Sequence, residues 1–206
     1  MNRLVVFDLD GVLINSEEAN YQAFAHGLEQ LGYRPERAAV IGLVGLPALT
    51  MLERLGCPPD RCLDIFEGFV KPYYLENLPE QTSAMEGAAD VLAELKGRGY
   101  RIGSCTSGDL VTQRQALTSI GLWDFIEEIQ TPCQSRYGKP DPRYLAELVE
   151  RFGPSRVTHV EDSEVGLRMG RDFGARTVFA RYGYGQLTVE NPDHQIERLS
   201  DLLALL

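Results

Sequence analysis

Basic residues are in deficit in this 206-residue chain, with 20 Lys and Arg against 30 Asp and Glu, a formal net charge of −10 at pH 7. Nucleic acid and anionic membrane surfaces both select basic patches, so neither is expected as a partner. An anionic metabolite would be repelled by the whole and must be drawn in by local cations. No apolar run approaches the roughly 20 residues that a membrane-spanning helix needs. The start of the chain shows no basic stretch leading into an apolar run and a small-residue cleavage site, so a cytoplasmic location is expected. Cysteine is sparse: Cys57, Cys62, Cys105 and Cys133 make no CxxC pair and are expected to be free thiols in an intracellular chain. Internal repeats and low-complexity segments are missing too, which points to one large domain or a core with a smaller insert. A monomer or weak homo-oligomer is expected.

Against this background one run stands out. Leu4-Val5-Val6-Phe7-Asp8-Leu9-Asp10-Gly11-Val12 is an apolar strand pattern that delivers two acids at its end. If the strand continued, Asp8 and Asp10 would point to one face. Held roughly 5 Å apart at an effective dielectric of about 20, they would repel by about 3 kcal/mol. A cation, a shared proton or a task in catalysis must offset that.

From residue 86 onward, helix patterns alternate with short β-rich runs. The predicted helices are Gly87 to Arg98, Leu110 to Ile120, Pro142 to Phe152 and Val165 to Phe173, each followed by a glycine within a residue. Strands are expected at Tyr100 to Cys105, Ile126 to Gln130, Val157 to Val160 and Arg176 to Ala180. Such alternation predicts an α/β fold, a Rossmann-like parallel sheet with helices on both faces. Its ligand should sit outside the C-terminal strand ends. Between Glu17 and Pro79 only helical stretches are legible: Glu17 to Leu31, Arg37 to Ile41, Pro47 to Leu55 and Asp60 to Leu78. The expected organisation is a core of residues 1–15 and 84–206 with a small all-helical insert over 16–83, joined by linkers near Ile14 to Ser16 and Pro79 to Met85 that could act as hinges. Tyr182 to Pro192 is Gly-rich and polar, and Ile196 to Leu206 reads as a closing amphipathic helix.

Three strand ends carry polar groups suited to one site: Asp8 and Asp10, then Thr106 and Ser107, then Glu161, Asp162 and Ser163, with Lys139 in the run Gly138-Lys139-Pro140-Asp141-Pro142. Four carboxylates and one lysine in one place call for a divalent cation, and an all-oxygen donor set favours Mg²⁺ over zinc. Alone, each piece also has a plain reading. Ser107 or Asp109 would cap a helix, Lys139 could be an exposed loop lysine, and acids at a helix start favour its dipole.

Asp8-Leu9-Asp10-Gly11-Val12, the Thr106 strand end, Gly138-Lys139-Pro140 and Glu161-Asp162-Ser163 together resemble the haloacid dehalogenase-like phosphohydrolase superfamily, over essentially the whole chain. The helical insert is similar to that family's α-helical cap. The resemblance implies Asp8 as nucleophile, Asp10 as general acid/base, Thr106 and Ser107 at the transferring phosphoryl, and Lys139 neutralising it and orienting Asp8. It further implies Mg²⁺ held by Asp8, the main-chain carbonyl of Asp10 and Asp162, with Glu161 a direct or water-mediated ligand. The substrate would be a small phosphorylated metabolite, hydrolysed through an aspartyl-phosphate.

Asp10 distinguishes this pattern from the dehalogenating branch, which uses the first carboxylate alone and needs no Mg²⁺. The β-phosphoglucomutase-like branch is the nearer alternative. Its members grip a second phosphate in the cap, whereas Gly42 to Leu49 offers no Arg or Lys and Asn20 replaces a histidine usual there. The Gly-Leu-Pro run resembles phosphoglycolate phosphatase-like members, although Leu43, Val44 and Leu46 could equally be packing residues. Asn15 stands where many members carry Asp, which bears on cap closure and not on the reacting set. Arg54, Arg61 and Lys71 are expected on a solvated face, His26 and His159 as structural, and Tyr73-Tyr74 in the insert's core. A non-catalytic binding or regulatory protein on the same fold is the remaining alternative.

Overall fold

The computed structural model describes residues 2–206. In chain order its elements begin with β1 (Asn2–Phe7), β2 (Ile14–Asn15), α1 (Glu17–Glu29), α2 (Arg37–Ile41), α3 (Ala48–Arg54), α4 (Cys62–Ile65), α5 (Lys71–Gln81) and β3 (Ser83–Ala84). There follow α6 (Ala88–Gly97), β4 (Arg101–Cys105), α7 (Leu110–Ser119), β5 (Glu128–Gln130), α8 (Pro142–Phe152), β6 (Ser155–Glu161), α9 (Glu164–Phe173), β7 (Arg176–Ala180), β8 (His194–Ile196) and α10 (Leu202–Leu205).

Six strands form one parallel sheet in the order β5-β4-β1-β6-β7-β8. β1 lies inside it, paired with β4 on one side and β6 on the other. Its unbroken apolar run follows from that position, because both faces are covered. Val5 and Phe7 face a cluster that includes Val91, Leu92 and Leu95 of α6 and Ala116 and Leu117 of α7. Leu4 and Val6 face Tyr144, Leu145, Leu148 and Phe152 of α8 and Met169 of α9. After β1 the chain builds outward through β4 and β5, then crosses to β6 on the opposite side. The crevice beyond the C-terminal end of β1 is therefore the switch point where open α/β sheets hold ligands.

The segment from α1 to α5 is helical, as its pattern predicts, and its buried Phe24, Leu28, Met51, Leu52 and Ile65 belong to the same apolar cluster as Val5 and Phe7. The two connections to it are tied as a short antiparallel ribbon, β2 with β3. Met85 extends it by donating its N–H to the Leu13 carbonyl at 2.9 Å.

Three expectations need correction. The helix expected over Asp60 to Leu78 is interrupted: α4 passes into a π turn at Phe66–Val70 before α5 begins. Pro72 has no N–H to return to the Gly68 carbonyl, so the regular ladder cannot run through this point. The helix expected over Ile196 to Leu206 starts later, as a 3-10 turn at Leu199–Asp201 that passes into α10. Ile196 pairs with Ala180 in the edge strand β8, and only Leu202–Leu205 is α-helical. A three-residue strand is too short to leave a periodic signature. Finally, β1 stops at Phe7, so Asp8 and Asp10 do not lie on one strand face. The chain turns at Gly11, whose φ of +83° suits glycine, and a Cβ there would collide with the Asp162 carboxylate.

Candidate active site

Asp8 is the first residue past β1 and is held in line with the sheet, donating its N–H to the Val160 carbonyl at 3.0 Å. Its carboxylate is buried and meets Lys139, with Nζ 2.8 Å from Oδ1. Lys139 arrives from the loop before α8, its side chain 1% exposed, and forms a second ion pair with Glu161 Oε1. Glu161 is the last residue of β6 and not the first of a loop. Its other oxygen accepts from the Ser163 N–H at 3.2 Å and the Ser163 hydroxyl at 2.8 Å. Both Glu161 oxygens are thus committed, one to the lysine and one to the turn leading into α9.

Asp162 follows. Its Oδ2 accepts N–H bonds from Tyr184 at 2.7 Å and Gly185 at 3.3 Å. The Gly-rich stretch after β7 is therefore a clasp around Asp162, and a Cβ at Gly183 or Gly185 would strike that residue. One oxygen each of Asp8, Glu161 and Asp162 lies within 4.8 Å of the others, all three residues being buried. At an effective dielectric of about 20, each such pair of like charges would repel by about 3.5 kcal/mol. Burial, then Glu161, pushes the Asp8 carboxyl up to about 6, against the pull of Lys139. Burial, with Asp8 and Glu161, pushes Asp162 well above the usual carboxylate range. Burial works against the Lys139 charge, but Asp8 and Glu161 outweigh it and hold the amine well above its ordinary value. With all three ionised, the carboxylates would exceed the one lysine by two negative charges, and the donors are all oxygen. That set fits one hard divalent cation.

Asp10 faces elsewhere. Its Oδ1 accepts from the Ser16 hydroxyl at 2.5 Å and its Oδ2 from Gln113 Nε2 at 2.7 Å. Burial raises its proton affinity, the Ser16 hydrogen bond opposes the shift, and the Asp8 charge adds to it. Asn20 donates to both the carbonyl and the hydroxyl oxygen of Ser16 at 3.0 Å, so the hydroxyl is fixed toward Asp10. The Asp10 carboxylate is not among the clustered oxygens.

Asp10 lines a cavity of about 70 Å³ together with Thr106, Ser107, Gly108, Gln113 and residues of the helical segment, among them Val44, Leu46, Met51, Lys71 and Tyr74. Space of that size admits several waters, at about 10–15 Å³ of such volume each. Thr106 ends β4's run, donating its N–H to the Gln130 carbonyl at 3.0 Å. The buried Tyr144 hydroxyl donates to the Thr106 carbonyl at 2.7 Å, and Gly108 N–H to the Thr106 hydroxyl oxygen at 3.0 Å.

The predicted residues therefore gather in two adjoining groups: Asp8, Lys139, Glu161 and Asp162 around a buried charge cluster, and Asp10, Thr106 and Ser107 on the cavity wall. A model of the haloacid dehalogenase-like hydrolases matches residues 5–180. The chain belongs to that family. Among haloacid dehalogenase-like relatives, a phosphoglycolate phosphatase of Cereibacter sphaeroides (strain ATCC 17025) is 30% identical, the match covering 97% of this chain and 96% of that protein. The pyrophosphatase PpaX of Bacillus velezensis is 27% identical over 97% and 94%. A crystal structure of a predicted phosphoglycolate phosphatase from Haemophilus somnus has the same fold, with a TM-score of 0.91 and 22% identity over 99% and 97% of the two chains. The haloacid dehalogenase-like chain is thus an enzyme of the hydrolase class.

Ser16, Gln113, Tyr144 and the Tyr184-Gly185 amides were not singled out from the sequence. A hydroxyl, an amide and a phenol at helical or loop positions carry no pattern of their own. Only the glycines of 183 and 185 hint at a close approach. Arg54 and Arg61 are exposed as expected, but Lys71 is not simply on a solvated face, because it lines the cavity. The cysteines are free as expected, Cys133 alone being exposed, and no helix among the described residues is long and apolar enough to cross a membrane.

Proposed function

We propose that the protein is a Mg²⁺-dependent phosphatase acting on a small phosphorylated metabolite, phosphoglycolate-like, through an aspartyl-phosphate on Asp8. The observation that carries the reading is the buried Asp8–Lys139 pair, with a second carboxylate, Asp10, turned to the adjoining cavity by Ser16 and Gln113. An Asp8 oxygen attacks phosphorus and the ester P–O bond breaks, its electrons leaving with the substrate oxygen. Asp10, whose burial favours the protonated form, gives its proton to that oxygen and takes one back from the water that attacks the aspartyl-phosphate. Lys139 supplies fixed positive charge at the phosphoryl, and the Thr106 hydroxyl and following amides add donors. Asp8 and Asp162, with the Asp10 main-chain carbonyl, would hold Mg²⁺, and Glu161 would act chiefly by anchoring Lys139. The ion would neutralise phosphoryl charge as it spreads in the transition state.

In this reading residues 16–83 form a cap over a core of 1–15 and 84–206, and β2 with β3 are its hinges. The names of the relatives, phosphoglycolate phosphatase and pyrophosphatase, support hydrolysis of a compact substrate. The test is phosphate release from p-nitrophenyl phosphate and 2-phosphoglycolate with Mg²⁺ and with chelator. Metal-dependent release and a phosphorylated Asp8 peptide in acid-quenched samples are expected. Absence of any metal-dependent release would sink the proposal. Lys71 gives the mutase reading one specific support, a cation in the cap. Glucose 6-phosphate appearing from β-glucose 1-phosphate, in place of free phosphate, would decide for it.

A further inference from the structure

The cavity between the strand ends and the helical segment is mostly apolar on the helical side, with Phe24, Val44, Leu46, Met51, Phe66 and Val70 in its lining. Two of its lining residues are acids, Asp10 and Asp109, and one is a cation, Lys71. Lys139 is not at this wall and is already committed to Asp8 and Glu161. Whatever part of a substrate extends past the reacting phosphoryl therefore meets a single positive charge. In a molecule of net charge −10 that charge is placed where an anion would otherwise be repelled.

Lys71 is not saturated by its neighbours. Its Nζ lies 3.4 Å from Asp109 Oδ2 and 3.6 Å from Glu67 Oε2, longer than the roughly 2.7–2.9 Å of a strong charge-assisted bond. Asp109 has another task, since its Oδ1 accepts from the Val111 N–H at 3.0 Å and the Thr112 N–H at 3.4 Å as the cap of α7. Glu67 is largely solvent-facing, with its side chain 54% exposed. An ammonium has three donors, so Lys71 can keep a loose contact with Asp109 and still bind a ligand anion. The wall also holds the orphaned Gln113 Oε1, buried without a partner while its Nε2 serves Asp10.

We infer that Lys71 determines specificity by binding a second anionic group, a carboxylate or a phosphate, at the end of the substrate away from the reacting phosphoryl. The inference rests on the phosphatase reading for the position of that phosphoryl. It predicts that a compact substrate charged at both ends is preferred over an isosteric one charged at only one.

The test compares 2-phosphoglycolate with its neutral amide, glycolamide phosphate, on the full chain with Mg²⁺. Wild type is expected to favour the acid at least about tenfold in kcat/KM. Lys71→Met is expected to bring that ratio close to one, and Lys71→Arg to keep most of it. Lys71→Gln repeats the measurement should the methionine variant fold poorly. Pyrophosphate run alongside tells a distal phosphate from a distal carboxylate. A wild-type ratio near one, or a ratio unmoved in both uncharged variants, overturns the assignment. If no phosphomonoester is turned over, the phosphatase reading fails separately. The acid and amide titrated calorimetrically into wild type and Lys71→Met would still decide whether Lys71 selects the distal charge.

Discussion

Asp8 and Lys139 meet at 2.8 Å with both side chains almost wholly withdrawn from water, and magnitudes show what such a contact is for. At an effective dielectric of about 20 the gross attraction is about 6 kcal/mol, while desolvation costs several kcal/mol for each ion. Stability alone gives little reason to keep the pair. Glu161 favours the lysine charge by attracting the same ammonium, while its own charge works against that of Asp8. Replacing Asp8 with Asn should abolish turnover while the circular dichroism spectrum stays that of wild type; measurable activity in D8N would remove Asp8 from its role as nucleophile. Gln113 permits a finer test. Its amide is one of two donors to Asp10, and a hydrogen bond to a charged group is worth about 1.5–3 kcal/mol. Gln113→Leu should lower kcat by about 10- to 100-fold with a much smaller change in KM; an unchanged kcat would show Ser16 alone to be sufficient.

At the level of elements, the parallel sheet was legible because β1, β4, β6 and β7 are apolar runs followed by polar strand ends, a pattern that periodicity and fold rules read well. β8 was not, since His194, Gln195 and Ile196 alternate too briefly. The π turn before α5 did have a signal, because Pro72 lies in the interior of the helix expected over Asp60 to Leu78, where a proline disturbs the ladder. The site divides in the same way. Charged residues that follow strands could be named from sequence, whereas Gln113 acts on Asp10 103 residues away, the Tyr184-Gly185 amides on Asp162 22 and 23 residues away and Ser16 on Asp10 across the turn at Gly11, contacts that have no local signature. β8's attachment yields a pH prediction. Asp193 Oδ2 accepts from the Thr177 N–H at 2.7 Å and the Thr177 hydroxyl at 3.0 Å, joining β7 to the approach of β8. These bonds hold its carboxyl below the ordinary 3.8. A depressed acid contributes stability above its unfolded value and loses it as pH falls through the folded one. Because Asp193 is exposed, solvent screening keeps the effect small. Asp193→Asn should melt about 1–2 °C below wild type at pH 7, with the gap closing below pH 3.8; a gap that widened in acid would contradict the sign.

For the whole molecule, the proposed metal site links the clasp after β7 to the switch point of the sheet, since Asp162 is bonded to Tyr184 and Gly185 while lying beside Asp8. An ion bound there should stabilise the entire fold by about 2.7 kcal/mol at one hundred times its Kd. For a chain of this size that is about 5–10 °C in Tm. Mg²⁺ should produce such a rise in a thermal melt, chelator should reverse it, and Asp162→Asn should lose most of it. An equal rise in the variant would place the ion elsewhere.

Ser16 immediately precedes α1, and its hydroxyl is bonded to Asp10 at 2.5 Å. On the proposed reading it belongs at once to the exit of the hinge strand and to the group that handles protons. Any swing of α1 away from the sheet must stretch that bond, so Asp10 has an environment that depends on where the helical segment stands. On the proposed mechanism the enzyme would then have a clock as well as a site. Proton transfer would be timed to a seated substrate, and water entering an open cavity would meet an acid not yet set.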